Sequence, residues 1–187
     1  MTDRVRVLGI ATSLRKGSFN ALLLDAMAAR APAGLALTIH RDLTSIPVFN
    51  EDLEDGGGPQ AVLELRAAVA AAHGLMIVTP EYNQSIPGAT KNIVDWLSRG
   101  DDRVLDGKPV AIAGATPGPW GTRIAQATLR HTLTACGSLV MPLPQVYVRS
   151  AADMFGPDRS LRDERLDASL RKFMLAFAQW MEKVAGA

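Results

Sequence analysis

The chain has 187 residues, 48% of them hydrophobic, and a formal net charge of +1 at pH 7. That length suits one domain with a full core, and that composition excludes a disordered chain. The near-zero charge gives no reason to expect nucleic acid, and a single cysteine, Cys136, excludes an intrachain disulfide and suits a reducing compartment.

Arg4 to Ala11 reads as a first strand. The run Thr12-Ser13-Leu14-Arg15-Lys16-Gly17-Ser18-Phe19-Asn20 follows, then an alanine- and leucine-rich helix through Arg30. Hydroxyls, a guanidinium and a carboxamide therefore gather where a strand hands over to a helix. A helix N-terminus offers unpaired N–H groups and partial positive charge. Ser13, Arg15, Ser18 and Asn20 add donors suited to a phosphate. Taken singly, Ser18 could be an ordinary N-cap, Asn20 a surface residue and Arg15 a solvated cation. Together, in this place, they favour phosphate.

Leu35 to His40 alternates as a second strand, and Leu43 to Gly58 reads as a long acidic, glycine-rich loop. Pro59 to Ala72 predicts a helix with proline near its first turn. Gly74 to Thr79 is a short apolar run, expected to be a buried third strand. The loop Pro80-Glu81-Tyr82-Asn83-Gln84-Ser85-Ile86-Pro87-Gly88 comes next, stiffened by two prolines, and leads into a helix over Ala89 to Leu97. Open α/β sheets bind ligands at the carboxyl edge of their strands, where this loop would lie. Pro80 lacks an N–H, while Glu81, Tyr82 and Asn83 offer N–H and C=O groups in succession. Such an array can hydrogen-bond the edge of a flat heterocycle, with the Tyr82 ring packed nearby. The alternative for the loop alone is a plain strand-to-helix turn.

Gly107 to Gly114 predicts a fourth strand and Gly121 to Cys136 a fourth helix. A fifth strand lies within Ser138 to Val148, interrupted by Pro142 and Pro144. Asp163 to Val184 carries Leu166, Leu170, Phe173, Phe177 and Met181 at helical spacing, which reads as core packing. Alternating strands and helices imply a parallel sheet covered on both faces. The expected architecture is α/β: a flavodoxin-like three-layer sandwich over residues 1–187, one domain, with a five-stranded parallel sheet in order 2-1-3-4-5. The first and third strands then flank the switch point, where the two loops meet.

The paired runs Ser13-Leu14-Arg15-Lys16-Gly17-Ser18-Phe19-Asn20 and Pro80-Glu81-Tyr82-Asn83, with Pro87-Gly88, Lys91-Asn92 and Asp95-Trp96 following, resemble the NADPH-dependent FMN reductase family. That family includes chromate-, quinone- and azo-reducing flavoproteins, and the resemblance covers nearly the whole chain. It implies FMN, with its phosphate at Ser13, Arg15, Ser18 and Asn20 and its isoalloxazine ring lined by Pro80, Glu81, Tyr82 and Asn83. A third family contact falls on Thr116, within Gly114-Ala115-Thr116-Pro117-Gly118. The resemblance also implies NADPH or NADH as cosubstrate, a ping-pong cycle, and small-molecule acceptors such as quinones, azo compounds, chromate or free flavin. It implies a homodimer or homotetramer as well. No protein side chain is needed as a catalytic acid or base, because the flavin carries the chemistry.

The chain departs from the family pattern at three places. Thr12 stands where glycine usually precedes the serine, Thr90 where leucine usually precedes Lys91-Asn92, and Gln145 where glutamate is frequent. An electron-carrier flavodoxin is the alternative function, although such carriers are typically strongly acidic. A nucleotide hydrolase or transferase using the phosphate loop is another. The dinucleotide pattern Gly-x-Gly-x-x-Gly and a P-loop lysine are absent from the sequence. His40, His73 and His131 show no metal spacing among themselves or with Cys136. Trp120 suits either a wall for flat substrates or simple packing. No basic-then-apolar leader precedes the first strand and no apolar run reaches a membrane span, so a cytoplasmic protein without membrane partners is expected.

Overall fold

The structure, a computed structural model, describes residues 4–186. Strands β1 (Val5–Ala11), β2 (Leu35–His40), β3 (Gly74–Val78), β4 (Pro109–Ala115), β5 (Leu139–Val140) and β6 (Val146–Val148) form one parallel sheet. Its order is β2-β1-β3-β4-β5, with β6 also on β4. The fifth position is thus filled by two short pieces. Pro142 and Pro144 lie between them and cannot donate ladder hydrogen bonds. β5 pairs with the start of β4 (Pro109↔Leu139) and β6 with its end (Ala113↔Val146).

Helices α1 (Phe19–Ala28), α2 (Glu51–Asp55), α3 (Gln60–Ala71), α4 (Gly88–Leu97), α5 (Arg123–Ala135), α6 (Ala151–Met154) and α7 (Glu164–Ala185) complete the chain. The sheet alternates its apolar side chains between two cores. Val7, Met76, Val78, Ala111 and Ala113 face Leu23 and Met27 of α1 and Leu170, Phe173, Phe177 and Met181 of α7. Leu8, Ile10, Leu75, Ile77 and Ile112 face Leu65 of α3, Ile93 and Leu97 of α4, and Leu129 and Leu133 of α5. Both faces being covered, β3 is buried along its whole length, which is why it reads as a continuous apolar run. Gly74 lets α7 lie close: a Cβ there would strike the Met181 sulfur.

The segment expected as a long acidic, glycine-rich loop contains α2. Asn50 caps it, its Oδ1 accepting from Asp52 N at 3.0 Å, and Glu51 and Asp52 complement the positive end of the first turn. The same segment is bound to α4. Pro47 O accepts from Trp96 Nε1 at 2.8 Å and Asn92 Nδ2 at 2.9 Å, while Phe49 N donates to Asn92 Oδ1 at 2.7 Å. Trp96 is therefore a core residue with its indole N–H satisfied, and Phe49 packs edge-on against it.

Candidate functional site at the carboxyl edge of the sheet

Strand order reverses at β1. Its β2 neighbour lies on one side and β3 on the other, so the loops after β1 and β3 emerge together. Thr12 N donates to Val78 O at 2.9 Å, and Thr79 N to Ala113 O at 2.9 Å, extending the ladders to the points where the loops leave the sheet.

The loop after β1 runs into α1 through Ser18, whose backbone is extended and whose Oγ accepts from Ala21 N at 3.2 Å. Ser18 is thus a true N-cap as well as a member of the expected phosphate set. From Ser13 through Asn20, no backbone N–H has an acceptor among the described residues. Arg15 is exposed and has no carboxylate partner among them. A run of unpaired N–H groups at a helix N-terminus, with a guanidinium nearby, has the donors to receive a dianion. A cavity of about 170 Å³ lies behind this loop, bordered by Ser13, Arg15, His40, Arg41 and Thr44.

Asn20 is 3% exposed, and its carboxamide is bound within the protein. Its Nδ2 donates to Ala115 O and its Oδ1 accepts from Ala115 N, both at 2.9 Å. It joins α1 to the end of β4 across 95 positions of sequence. No local pattern in the sequence signals this pairing.

The loop after β3 begins with buried Thr79 and Pro80. Tyr82 and Ser85 exchange backbone hydrogen bonds at 3.1 and 3.0 Å. Asn83 and Gln84 between them have φ of 50° and 58°, the signature of a type I′ turn. This small hairpin holds Tyr82 outward, 49% exposed. Glu81 turns the other way: its Oε2 accepts from Ile124 N and Ala125 N, both at 2.9 Å. Thr122, at the N-cap of α5, makes no side-chain cap bond, and Glu81 supplies the cap from 43 residues away in sequence. Its carboxylate is an anchor for the loop, a role the local sequence does not announce.

The loop after β4 supplies the third wall. Thr116 N donates to Val148 O at 2.9 Å, and Thr116 Oγ1 accepts from Gly118 N at 3.2 Å. Its hydroxyl therefore shapes its own loop. Gly114 below admits no side chain, because a Cβ would strike the Thr79 carbonyl and the Thr122 hydroxyl. Trp120 projects from the loop, 81% exposed, so it is not packed. It borders a cavity of about 770 Å³ with Arg123, Gln145, Tyr147 and Arg149. There the Arg123 guanidinium sits 5.0 Å from the Tyr147 ring centre, and Tyr147 OH donates to Gln145 Oε1 at 2.5 Å. Among the described residues no three of His, Cys, Asp and Glu could hold a metal ion, and no helix is long and apolar enough to cross a membrane.

The model of the NADPH-dependent FMN reductase family matches residues 5–153. An NAD(P)H-dependent FMN reductase of Pseudomonas aeruginosa is 37% identical over 186 residues, spanning 100% of both chains. A 2-hydroxy-1,4-benzoquinone reductase of a Burkholderia species is 34% identical over 95% of this chain and 96% of its own. Among solved structures, the flavoenzyme NAD(P)H:(acceptor) oxidoreductase FerB of Paracoccus denitrificans superposes with a TM-score of 0.87. It is 34% identical, covering 95% of this chain and 97% of that one.

Proposed function

The chain belongs to the NADPH-dependent FMN reductase family, an oxidoreductase that uses FMN with NAD(P)H as electron donor, and on that premise we propose that its acceptors are small quinones. The single observation that carries the placement of the cofactor is the run of unpaired N–H groups from Ser13 to Asn20. The residues present fit FMN. This run, the Ser13 and Ser18 hydroxyls and the Arg15 guanidinium would receive its phosphate. Asn20 would act there through its backbone N–H, since its carboxamide is engaged by Ala115. Pro80, Glu81, Tyr82 and Asn83 would line the flat ring on one side and Thr116 on another. Bound FMN would supply hydride acceptance from a nicotinamide and electron donation to a quinone.

The protein's own part is to hold and orient. The α1 N-terminus and Arg15 set the charge balance at the phosphate end. The Glu81 anchor and the type I′ turn keep the loop after β3 in one shape. Exposed Tyr82 and Trp120 leave the edge open to flat molecules. One open edge makes donor and acceptor take turns in the same space, which is a ping-pong cycle. We read the whole chain as one FMN-binding domain acting in the cytoplasm as a homodimer or homotetramer. Support for assembly comes from Val48 (82% exposed) and Leu14 (55% exposed), beside an apolar cavity that also meets α4.

Steady-state assays of the FMN-loaded protein with NADPH or NADH and 1,4-benzoquinone, in the presence of a chelator, test the reading. Turnover with both nicotinamides, insensitive to the chelator, is expected. A bound flavin that neither nicotinamide can bleach would instead make the protein an electron carrier.

A further inference from the structure

Three threonine hydroxyls meet beneath the proposed cofactor site. Thr12 directly follows β1, Thr79 directly follows β3, and Thr90 lies in the first turn of α4; each is at most 1% exposed. Thr12 Oγ1 and Thr90 Oγ1 are 2.7 Å apart, and Thr90 Oγ1 and Thr79 Oγ1 are 3.1 Å apart. Two of the departures from the family pattern, at 12 and 90, are therefore one feature. Buried hydroxyls are costly unless paired, and a plain packing role needs none.

Each hydroxyl has one proton to give. Thr79 Oγ1 gives its proton to Pro80 O at 2.9 Å. Thr90 must then donate to Thr79, and Thr12 to Thr90. The competing acceptor for Thr12, Val78 O, is 3.5 Å away and too long to divert it. The chain runs one way, from Thr12 to the Pro80 carbonyl. The Pro80–Glu81 peptide is trans, so its N–H points opposite to that carbonyl. Glu81 N has no acceptor among the described residues.

We propose that Thr12, Thr90 and Thr79 are positioning residues: their hydroxyl chain fixes the Pro80–Glu81 peptide plane so that the Glu81 N–H is held ready for the edge of the bound ring. This rests on the proposal that the loop after β3 lines FMN. The chain also ties the β1 end to the β3 end, and so sets the spacing between the phosphate loop and the ring loop.

The test uses Thr90→Val, which keeps shape and removes the hydroxyl, with Thr90→Ser and the double variant Thr12→Val/Thr90→Val. FMN titration, the visible spectrum of the bound cofactor and the Glu81 amide signal of the cofactor-free protein are measured. Thr90→Val is expected to weaken FMN roughly 3- to 10-fold, to shift the flavin bands and to move the Glu81 amide. Thr90→Ser restores all three, and adding Thr12→Val to Thr90→Val changes nothing further, because the chain is already cut. Unchanged affinity, spectrum and amide in Thr90→Val would overturn the inference alone. So would a Thr90→Ser as defective as Thr90→Val, which would assign the effect to the methyl group. A wild-type protein that takes up no FMN would overturn both the flavin reading and this one.

Discussion

The carboxamide of Asn20 forms two hydrogen bonds of 2.9 Å with the backbone of Ala115, matching its N–H and its C=O as a neighbouring strand would. Both residues are buried, and the pair locks the start of α1 to the point where β4 releases the third loop. Asn20→Ala would strand a buried N–H and a buried C=O. The expected cost is about 2–3 kcal/mol, read as a melting temperature lower by roughly 4–12 °C. Ser13→Ala, by contrast, removes a hydroxyl that has no partner among the described residues. It should leave the melting temperature of the cofactor-free protein nearly unchanged while weakening FMN.

Glu81 gives a second stability prediction with a different pattern. Its carboxylate accepts from two N–H groups at the α5 N-terminus. Glu81→Ala should cost about 1–2 kcal/mol. Glu81→Gln keeps an acceptor but loses the charge that complements the helix, and should cost roughly 0.3–1 kcal/mol. Urea unfolding midpoints check the order. Equal midpoints for the three proteins would deny that the cap matters.

Much of the site was legible because it is local. The Ser18 cap, the proline-bounded loop after β3 and the glycine-rich loop after β4 are contiguous runs at strand ends, and the strand–helix alternation places them on one edge. The β2 boundaries follow from alternation alone, and Leu170, Phe173, Phe177 and Met181 from helical spacing. What was illegible depends on partners distant in sequence. Asn20 reads as a phosphate donor, and the pairing of its carboxamide with Ala115, 95 positions away, has no local signal. Glu81 reads as part of a ring-binding array, and the added role of its carboxylate shows only when the uncapped start of α5 comes within reach. Thr12 and Thr90 read as isolated departures until β1 and α4 bring them to 2.7 Å. The helix α2 is a different case, since Asn50 followed by Glu51 and Asp52 is a visible cap signal within an acidic, glycine-rich stretch.

Cys136 yields a pH prediction. Burial at the end of α5 raises its thiol above the ordinary range, with the negative charge of Asp95 adding to the effect and Lys91 opposing it. A raised value favours the neutral thiol, so the group's contribution to stability is present at neutral pH and declines as pH rises through its folded-state value. Alkylation by iodoacetamide should be slow at pH 7 and still climbing where an exposed thiol has levelled off. A rate that saturates near pH 8 would contradict that environment.

The most direct measurement of the central claim is a paired titration of the cofactor-free protein with FMN and with riboflavin, repeated for Arg15→Ala. FMN carries the phosphate that the N–H run and Arg15 are proposed to receive; riboflavin has the same ring without it. The account predicts that the wild type binds FMN far more tightly than riboflavin. It predicts that Arg15→Ala loses about 1.5–3 kcal/mol toward FMN, and that riboflavin binding is indifferent to the substitution. Equal affinity for the two flavins, or an Arg15→Ala variant that holds FMN as firmly as the wild type, would contradict the placement of the phosphate at the start of α1.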